Sequence, residues 1–171
     1  MALKLRVGQP AQKRQWSALV VCVVAVVATG ALGAFASIEA KGFYEMLVKP
    51  SWAPPPGVFS PVWTTLYFMI ALSGWLAWRA RAPASDTRFA LWLYFGQLAL
   101  NALWSWLFFR WHQGALAVIE VCVLWFAILL TLTQFWRLRW LAGALLVPYL
   151  AWVSFATALT AAVWRLNPGL L

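Results

Sequence analysis

The sequence predicts an all-α fold, an integral membrane bundle of five transmembrane helices. Of the 171 residues, 64% are hydrophobic and only 10% are charged, whereas a soluble globular domain carries about 25% charged residues. The hydrophobic residues form five long blocks separated by short polar connections. Each block has close to the roughly 20 residues that a helix needs to span the hydrocarbon of a bilayer while satisfying its own backbone hydrogen bonds.

The predicted helices cover approximately residues 17–38, 58–78, 89–109, 114–136 and 141–164. They form one transmembrane domain, residues 17–165, between a basic tail at 1–16 and a short tail at 166–171, and the loop at 39–57 is the longest connection. The first block ends in Ala34-Phe35-Ala36, a pattern typical of signal-peptidase sites. Because the block exceeds the about 7–15 apolar residues of a signal peptide, we expect it to remain as a helix. It also carries small residues at four-residue spacing, which allow another helix to approach closely: Ala25, Thr29, Gly33 and Ser37.

The formal net charge of +9 comes from 13 Lys and Arg residues that lie between the hydrophobic blocks and never form one basic face. This distribution argues against nucleic acid as a partner and is typical of the charge asymmetry that sets membrane topology. Nine of the 13 fall on the side of the N-terminus, so the positive-inside rule places the N-terminus in the cytoplasm or its equivalent and the C-terminus outside. Cys22 and Cys122 lie inside blocks without metal-ligand spacing, and we interpret both as small buried residues.

The first loop is rich in proline, with Pro50, Pro54, Pro55 and Pro56 close together. Consecutive prolines favour stiff, extended geometry because they fix φ and donate no backbone hydrogen bonds. A plain spacer between helices would have the same composition. The aromatic and hydroxyl residues that follow, as far as Tyr67, favour the interpretation of the loop as a lid over the mouth of a cavity.

Fourteen Trp residues are far more than usual. Those near predicted helix ends suit an interfacial belt, in which the indole lies at the level of the lipid headgroups; they are Trp16, Trp78, Trp111, Trp136, Trp140 and Trp164. Trp63, Trp104 and Trp152 lie inside blocks and therefore serve either core packing or a ligand.

Two predicted helices have a face suited to a ligand. In the third, Gln97, Asn101 and Trp104 share one face, and because amides are costly at membrane depth, this face should point into a cavity or make interhelical hydrogen bonds. In the fifth, a small residue lies beneath an indole, which suits either a slot for a flat apolar molecule or a close helix crossing. That face is formed by Pro148, Trp152, Ala156 and Leu159.

Glu120 is the acid that lies well inside a block, and acids at membrane depth are usually functional or paired. We expect a structural pair with Arg110, His112 or an amide of the third helix, rather than a proton or cation site. We interpret His112 as an exposed loop residue rather than a haem ligand. The sequence has no second acid near Glu120, no Gly-rich phosphate loop and no metal-spaced His or Cys set, so hydrolytic and phosphoryl-transfer chemistry are not supported.

Three separate stretches of the sequence resemble the translocator protein and tryptophan-rich sensory protein family, also known as the peripheral benzodiazepine receptors. The first runs from Lys49-Pro50-Ser51-Trp52 through the prolines to Tyr67, the second covers residues 96–101, and the third covers residues 148–165. The stretches occur in the same order as in the family, and the resemblance covers nearly the whole chain after the basic tail.

The resemblance implies a cavity that opens under the first loop and binds tetrapyrroles such as protoporphyrin IX or a haem-like relative, as a ligand and not as a required cofactor. Sterols and synthetic benzodiazepine-type compounds are further ligands of the family. Homodimers are common in it, so the resemblance also implies a homodimer here. Some members are associated with light- and oxygen-dependent porphyrin breakdown, and the two pocket tryptophans implicated correspond to Trp63 and Trp152. Carried over position by position, the ligand-binding residues are Trp52, Trp63, Asn101, Trp104, Trp152, Ala156 and Leu159.

The sequence departs from the family pattern at two places. Gly57 stands where many relatives have a Trp after the paired prolines, which removes one aromatic group from the lid. Ala161 stands where the family's sterol motif needs a tyrosine, so we expect weak or no sterol recognition. The basic tail and the absent sterol motif favour a bacterial membrane over a mitochondrial one.

The sequence thus predicts a multi-pass membrane receptor or sensor that binds a porphyrin in a Trp-lined cavity, with Lys49 near the mouth to meet the propionates. A porphyrin transporter is the alternative, although the five blocks show no internal repeat of the kind that alternating access usually requires. A photo-oxidative enzyme and a structural membrane protein without a ligand are further hypotheses. Multiple oxygen-dependent turnovers would distinguish the enzyme from a binding protein.

Overall fold

The computed structural model describes residues 12–80 and 83–171 of the chain. These residues form seven helices: α1 (Gln12–Ala36), α2 (Ala40–Met46), α3 (Phe59–Trp78), α4 (Ala84–Ser105), α5 (Gly114–Leu138), α6 (Trp140–Ala144) and α7 (Val147–Leu166). A 3-10 turn, Pro56–Val58, leads into α3, and a π-helical turn, Trp106–Arg110, extends α4. No β-strand occurs in this part of the chain, and the predicted all-α membrane bundle is confirmed.

Four segments are long and apolar enough to cross a membrane: Gln15–Ala36, Pro56–Trp78, Gly114–Leu138 and Trp140–Leu166. The remaining long helix, α4, has 22 residues, which is about 33 Å at helical rise. Its apolar run is interrupted by Gln97 and Asn101, which are both buried inside the protein. The five long helices are therefore the five that the sequence predicts, with α6 and α7 together forming the fifth.

The fifth predicted helix, residues 141–164, is divided in the structure. α6 ends at Ala144 and α7 begins at Val147, with Pro148 in its first turn. Because proline has no backbone N–H and clashes with the preceding turn, a helix begins readily at Pro148 but does not continue undisturbed through it. A Cβ at Gly143 would stand 2.8 Å from the backbone of Trp136, so glycine allows α6 to fold tightly against the end of α5.

The predicted lid loop, residues 39–57, is partly helical. α2 occupies seven of its residues and packs through Phe43, which is buried together with Leu47. The extended geometry expected from the prolines is seen further on, where Pro55 has φ −61° and ψ 146°. The loop thus consists of a short helix that packs on the bundle followed by an extended, proline-rich segment.

The short connections make helices that follow one another antiparallel. α4 packs along α5, α1 packs against α3 and α4, and α5 packs against α7. We call the end of the bundle that contains residues 37–58, 106–113 and 167–171 the loop end. The opposite end contains Arg79 and residues 139–146.

The outer surface of the bundle carries several of the tryptophans expected in an interfacial belt. Trp16, Trp111, Trp136 and Trp140 are exposed. Cys22 is buried as predicted, but the same prediction is wrong for Cys122, which is exposed. Cys122 follows Val121 on α5, and the step of about 100° between consecutive helical residues takes it away from the buried stripe to which Val121 and Leu124 belong.

Candidate functional site

A cavity of about 440 Å³ lies between the helices at the loop end. All five long helices contribute to its wall, together with α2 and the start of the 3-10 turn. The described side chains that line it are all uncharged, and most are aromatic or aliphatic. They include Gly30, Gly33, Ser37, Tyr44, Pro56, Phe59, Trp63, Tyr67, Asn101, Trp104, Phe108, Phe109, Val121, Leu124, Trp152, Ala156, Leu159 and Val163.

Six of the seven ligand-binding residues expected from the family resemblance line this cavity: Trp63, Asn101, Trp104, Trp152, Ala156 and Leu159. Trp52 does not line it. Trp52 is 49% exposed, and its ring packs against that of Phe155 in a T-shaped arrangement, with the ring centroids 5.8 Å apart. Phe155 in turn lies 5.4 Å from Trp152, so Trp52 is separated from the cavity by one layer of aromatic rings.

The three cavity indoles come from three different helices. Trp63 in α3 lies 5.3 Å from the ring of Tyr67 and 6.2 Å from that of Tyr149. Trp104 in α4 stacks on Phe108 at 5.4 Å, with the ring planes only 10° apart. The contacts with neighbouring rings restrict the orientation of each indole, and together the indoles present broad apolar faces.

Asn101 has its amide satisfied by two tyrosines from other helices. The Tyr67 hydroxyl donates to Oδ1 of Asn101 over 3.0 Å, and Nδ2 of Asn101 donates to the Tyr149 hydroxyl over 3.2 Å. This is the interhelical hydrogen bonding that an amide at membrane depth requires. Asn101 therefore joins α3, α4 and α7 at the floor of the cavity while remaining part of its lining.

Gln97 and Asn101 were expected on one face, but their environments differ. Gln97 is buried away from the cavity, and neither its Nε2 nor its Oε1 has a hydrogen-bond partner in the described part of the chain. At the cavity itself, Nε1 of Trp104 and the hydroxyl of Tyr44 are also buried without a partner. Two unpaired polar groups therefore border the cavity, and each is able to donate a hydrogen bond.

The expected pair for Glu120 is not formed, so that prediction is wrong. The carboxyl group is buried, with the residue 7% exposed, and neither oxygen has a hydrogen-bond partner among the described residues. Arg110 lies 3.8 Å from Glu39 instead, in an exposed pair. His112 is exposed in the turn before α5, as predicted, with φ 52° and its ring stacked 4.1 Å from Phe43. Both expected basic partners are thus engaged by the segment around α2.

Lys49 lies beside the cavity through its contact with Tyr44. Its Nζ donates to the carbonyl oxygens of Tyr44 and Leu47 over 2.6 and 3.0 Å, and it stands 4.8 Å from the centre of the Tyr44 ring. Burial raises the pKa of the Tyr44 hydroxyl, which keeps that group protonated and able to donate. Lys49 therefore stabilises the loop and brings a positive charge close to the cavity wall.

Some lining residues had only a weak signal in the sequence. Gly33 and Ser37 belong to the small-residue stripe of α1, but Gly30 does not, and a Cβ there would stand 3.1 Å from the Tyr67 ring. Tyr44 lies in a short helix that periodicity does not reveal. Within residues 12–80 and 83–171, no three His, Cys, Asp or Glu side chains gather at a place that could hold a metal ion.

Comparison with known protein families matches residues 19–165 to the TspO/MBR family. That range contains every residue that lines the cavity. The chain belongs to the TspO/MBR family. Protein CrtK of Rhodobacter capsulatus is 40% identical over 85% of this chain and 90% of its own length. The translocator protein of Homo sapiens is 39% identical over 77% of this chain and 78% of its own length.

The tryptophan-rich sensory protein of Cereibacter sphaeroides is a further relative, 37% identical over 89% of this chain and 92% of its own length. These matches confirm the family to which the sequence motifs pointed. A TspO/MBR chain with these apolar helices is an integral, multi-pass membrane protein. Bacterial proteins are prominent among its relatives, in agreement with the expected bacterial membrane.

Proposed function

We propose that this protein is a membrane receptor or sensor that binds a tetrapyrrole such as protoporphyrin IX in the cavity at the loop end. The observation that carries the proposal is the convergence of Trp63, Trp104 and Trp152 on one uncharged cavity of about 440 Å³. One relative is named a tryptophan-rich sensory protein and another a translocator protein, and a sensory role for the first agrees with the proposal.

The chemistry of the cavity suits a flat, largely apolar molecule. Each 100 Å² of apolar surface removed from water contributes about 2.5 kcal/mol, and stacking on an aromatic ring adds about 0.5–1.5 kcal/mol. Among the side chains that the structure describes, no charged one lines the cavity, so the propionates of a porphyrin would have to lie at the rim. Lys49 is the cation that contacts the lining residue Tyr44, and the proposal assigns the propionates to it.

The same cavity is proposed to accept synthetic benzodiazepine-type ligands. Nε1 of Trp104 and the hydroxyl of Tyr44 lack partners, and a carbonyl or carboxylate oxygen of a ligand would satisfy either group. For sterols we propose weak or no recognition, since the tyrosine of the family's sterol motif is replaced by Ala161.

The test is a titration of the detergent-purified protein with protoporphyrin IX in the dark, followed by the porphyrin absorbance. A Trp63→Phe, Trp152→Phe variant removes two cavity indoles. The matched control is Trp92→Phe, Trp140→Phe, which removes two indoles that are 77% and 64% exposed. We expect saturable binding that the cavity variant weakens by about tenfold or more, an effect of about 1.4 kcal/mol, and that the control leaves unchanged. Absence of saturable binding would overturn the tetrapyrrole proposal and favour a structural role.

Light-driven breakdown of the bound porphyrin is a second candidate function. The observation that favours it is the position of Trp63 and Trp152 on the cavity wall, where each indole would lie beside an excited macrocycle and exchange an electron with it. Illumination in air should then consume several porphyrins per protein, and removal of oxygen should stop the reaction. If the Trp63→Phe, Trp152→Phe variant bleached porphyrin at the rate of the native protein, these tryptophans would have no photochemical role.

A further inference from the structure

Asn167 fixes the middle of the first loop through its side chain. It follows the last residue of α7 and is 5% exposed. The backbone N–H of Val48 donates to Oδ1 of Asn167 over 2.8 Å, and Nδ2 of Asn167 donates to the Val48 carbonyl over 2.9 Å. One amide group therefore satisfies both backbone polar groups of a residue that is 119 positions away in the sequence.

The amide is itself held in place by the helix end. Nδ2 of Asn167 also donates to the carbonyl oxygen of Val163 over 2.7 Å, and the backbone N–H of Asn167 donates to the carbonyl oxygen of Trp164 over 3.2 Å. Both donors of the amide are thus used, and its acceptor faces Val48. An amide with three hydrogen bonds has a defined orientation, which makes it suited to hold another segment of backbone.

Val48 itself is attached to the bundle by its backbone and not by burial, since this residue is 58% exposed. After it, Pro50, Pro54 and Pro55 donate no backbone hydrogen bonds. Leu47, on the other side, is buried in the same apolar cluster as Val163, against which the partly buried Leu171 packs, so the contact at Asn167 continues an apolar contact between the same two segments.

The attachment lies between two parts of the cavity wall. Tyr44 precedes Val48 and Pro56 follows it, and both line the cavity, whereas neither Val48 nor Asn167 does. A displacement of Val48 would therefore move the loop on both sides of the attachment point without removing any side chain that a ligand touches.

We propose that Asn167 is a positioning residue that holds the first loop closed over the cavity and so limits the exchange of molecules between the cavity and its surroundings. Its link to porphyrin residence time rests on the proposed function, but the closure of the loop does not. The alternative is that Asn167 only completes the end of α7, as residues at helix ends commonly do.

The first experiment measures the loop without any ligand. Hydrogen exchange at the Val48 amide is compared in the native protein, Asn167→Ala and Asn167→Asp. Asn167→Ala removes all the side-chain hydrogen bonds and should speed exchange by about tenfold or more. Asn167→Asp keeps an acceptor for the Val48 N–H but loses both donors, so it should give an intermediate rate. Thr157→Val is the control, since it removes the bond of Thr157 to the Val153 carbonyl within α7 and should leave the Val48 amide unchanged.

The second experiment measures access to the cavity. Ala156→Cys, in a background with Cys22→Ala and Cys122→Ala, places one thiol on the cavity wall, and its labelling by N-ethylmaleimide is followed with time. Asn167→Ala should increase the labelling rate by about tenfold, and Thr157→Val should not change it. If exchange at Val48 became faster but the labelling rate did not change, the proposal would be overturned and Asn167 would be a helix cap. Unchanged exchange at Val48 in Asn167→Ala would lead to the same conclusion.

The third experiment connects closure to residence time. Protoporphyrin IX dissociation from Asn167→Ala should be faster by about the same factor as the labelling, with Thr157→Val equal to the native protein. If the native protein bound no porphyrin, the tetrapyrrole proposal would fail, whereas the labelling experiment would still decide the role of Asn167. If porphyrin bound but left Asn167→Ala at the native rate, the link between closure and residence time would be contradicted.

Discussion

The two ends of the bundle are built from the same five helices but are packed differently. In the half of the bundle away from the loop end, which we call the filled end, Ile70, Tyr94, Phe135 and Ile128 are fully buried, and the rings of Tyr94 and Phe135 stack at 5.7 Å. At the loop end, the large side chains surround a cavity of about 440 Å³. The difference shows how a small membrane protein combines a rigid frame with room for a ligand. Close packing in the filled end holds the five helices in place, so they can stay separated around the cavity at the loop end, which we call the open end.

Two glycines illustrate the difference in packing between the two ends of the bundle. A Cβ at Gly74 in α3 would lie 2.7 Å from Cζ of Tyr94, so the absent side chain is what allows the tyrosine ring to fill the space. Gly30 gives room to Tyr67 in a similar way, but that ring then borders the cavity. At both ends a glycine makes room for a tyrosine ring. Near Gly74 the ring fills the interior, whereas near Gly30 it forms part of the cavity wall.

The largest effect is expected from a side chain added at the filled end. Gly74→Val should lower the free energy of unfolding by about 3 kcal/mol, because a close-packed interior cannot accommodate the added carbons. The matched control, Gly96→Val, adds the same atoms where no neighbour lies within 4 Å of a Cβ. Thermal unfolding in detergent measures both, and equal losses would contradict the contrast between the ends.

A side chain added at the open end should instead cost binding. Ala156→Phe projects into the cavity and should weaken protoporphyrin IX binding by at least about tenfold, or 1.4 kcal/mol, without lowering the unfolding temperature. Ala151→Phe, on the exposed face of the same helix, is its control. A large fall in the unfolding temperature of Ala156→Phe would show that the cavity is too small to receive a ring.

Substitutions between the two ends of the bundle should change stability by a smaller amount. Tyr67→Phe removes the donor to Oδ1 of Asn101 and leaves a buried acceptor unpaired, so we expect a loss of about 1 kcal/mol in unfolding free energy. Thr64→Val removes an exposed bond to the Ser60 carbonyl one turn earlier in the same helix and should change stability by less than about 0.5 kcal/mol. Equal effects of the two changes would show that the Asn101 network contributes nothing particular.

The smallest effect is expected at Trp52. Because its ring lies outside the cavity against Phe155, Trp52→Phe should change porphyrin affinity by less than about twofold, which is under 0.5 kcal/mol. The titration used for the cavity variants measures it. A tenfold loss would show that Trp52 contacts the ligand once the ligand is bound.

The pattern of hydrophobic residues correctly predicted the long helices, whose formation depends on interactions between residues close together in the sequence. The five blocks became five long helices because each must satisfy its backbone within itself. The division of the last helix could be read from Pro148, but α2 could not, since seven residues give too few turns to show a period. Six of the expected cavity residues lie together because they occupy helix faces that the sequence already defines.

The remaining differences concern contacts between distant parts of the chain. Trp52 lies outside the cavity because its loop is positioned by tertiary contacts, including one to Asn167 that spans 119 residues. Glu120 lacks a basic partner because the two expected ones, Arg110 and His112, contact Glu39 and Phe43. In both cases, the choice among chemically reasonable partners is decided by how α2 packs, which a linear pattern does not contain.

The π-helical turn at Trp106–Arg110 has a consequence for how this chain can change in length. The N–H of Trp111 donates to the carbonyl of Trp106, five residues earlier, over 2.8 Å, so the turn holds one residue more than an α-helical turn would. Phe108 and Phe109, both on the cavity wall, belong to this turn. We therefore expect that deletion of one residue here would return the turn to α-helical winding and reshape the cavity wall without moving the rest of the bundle.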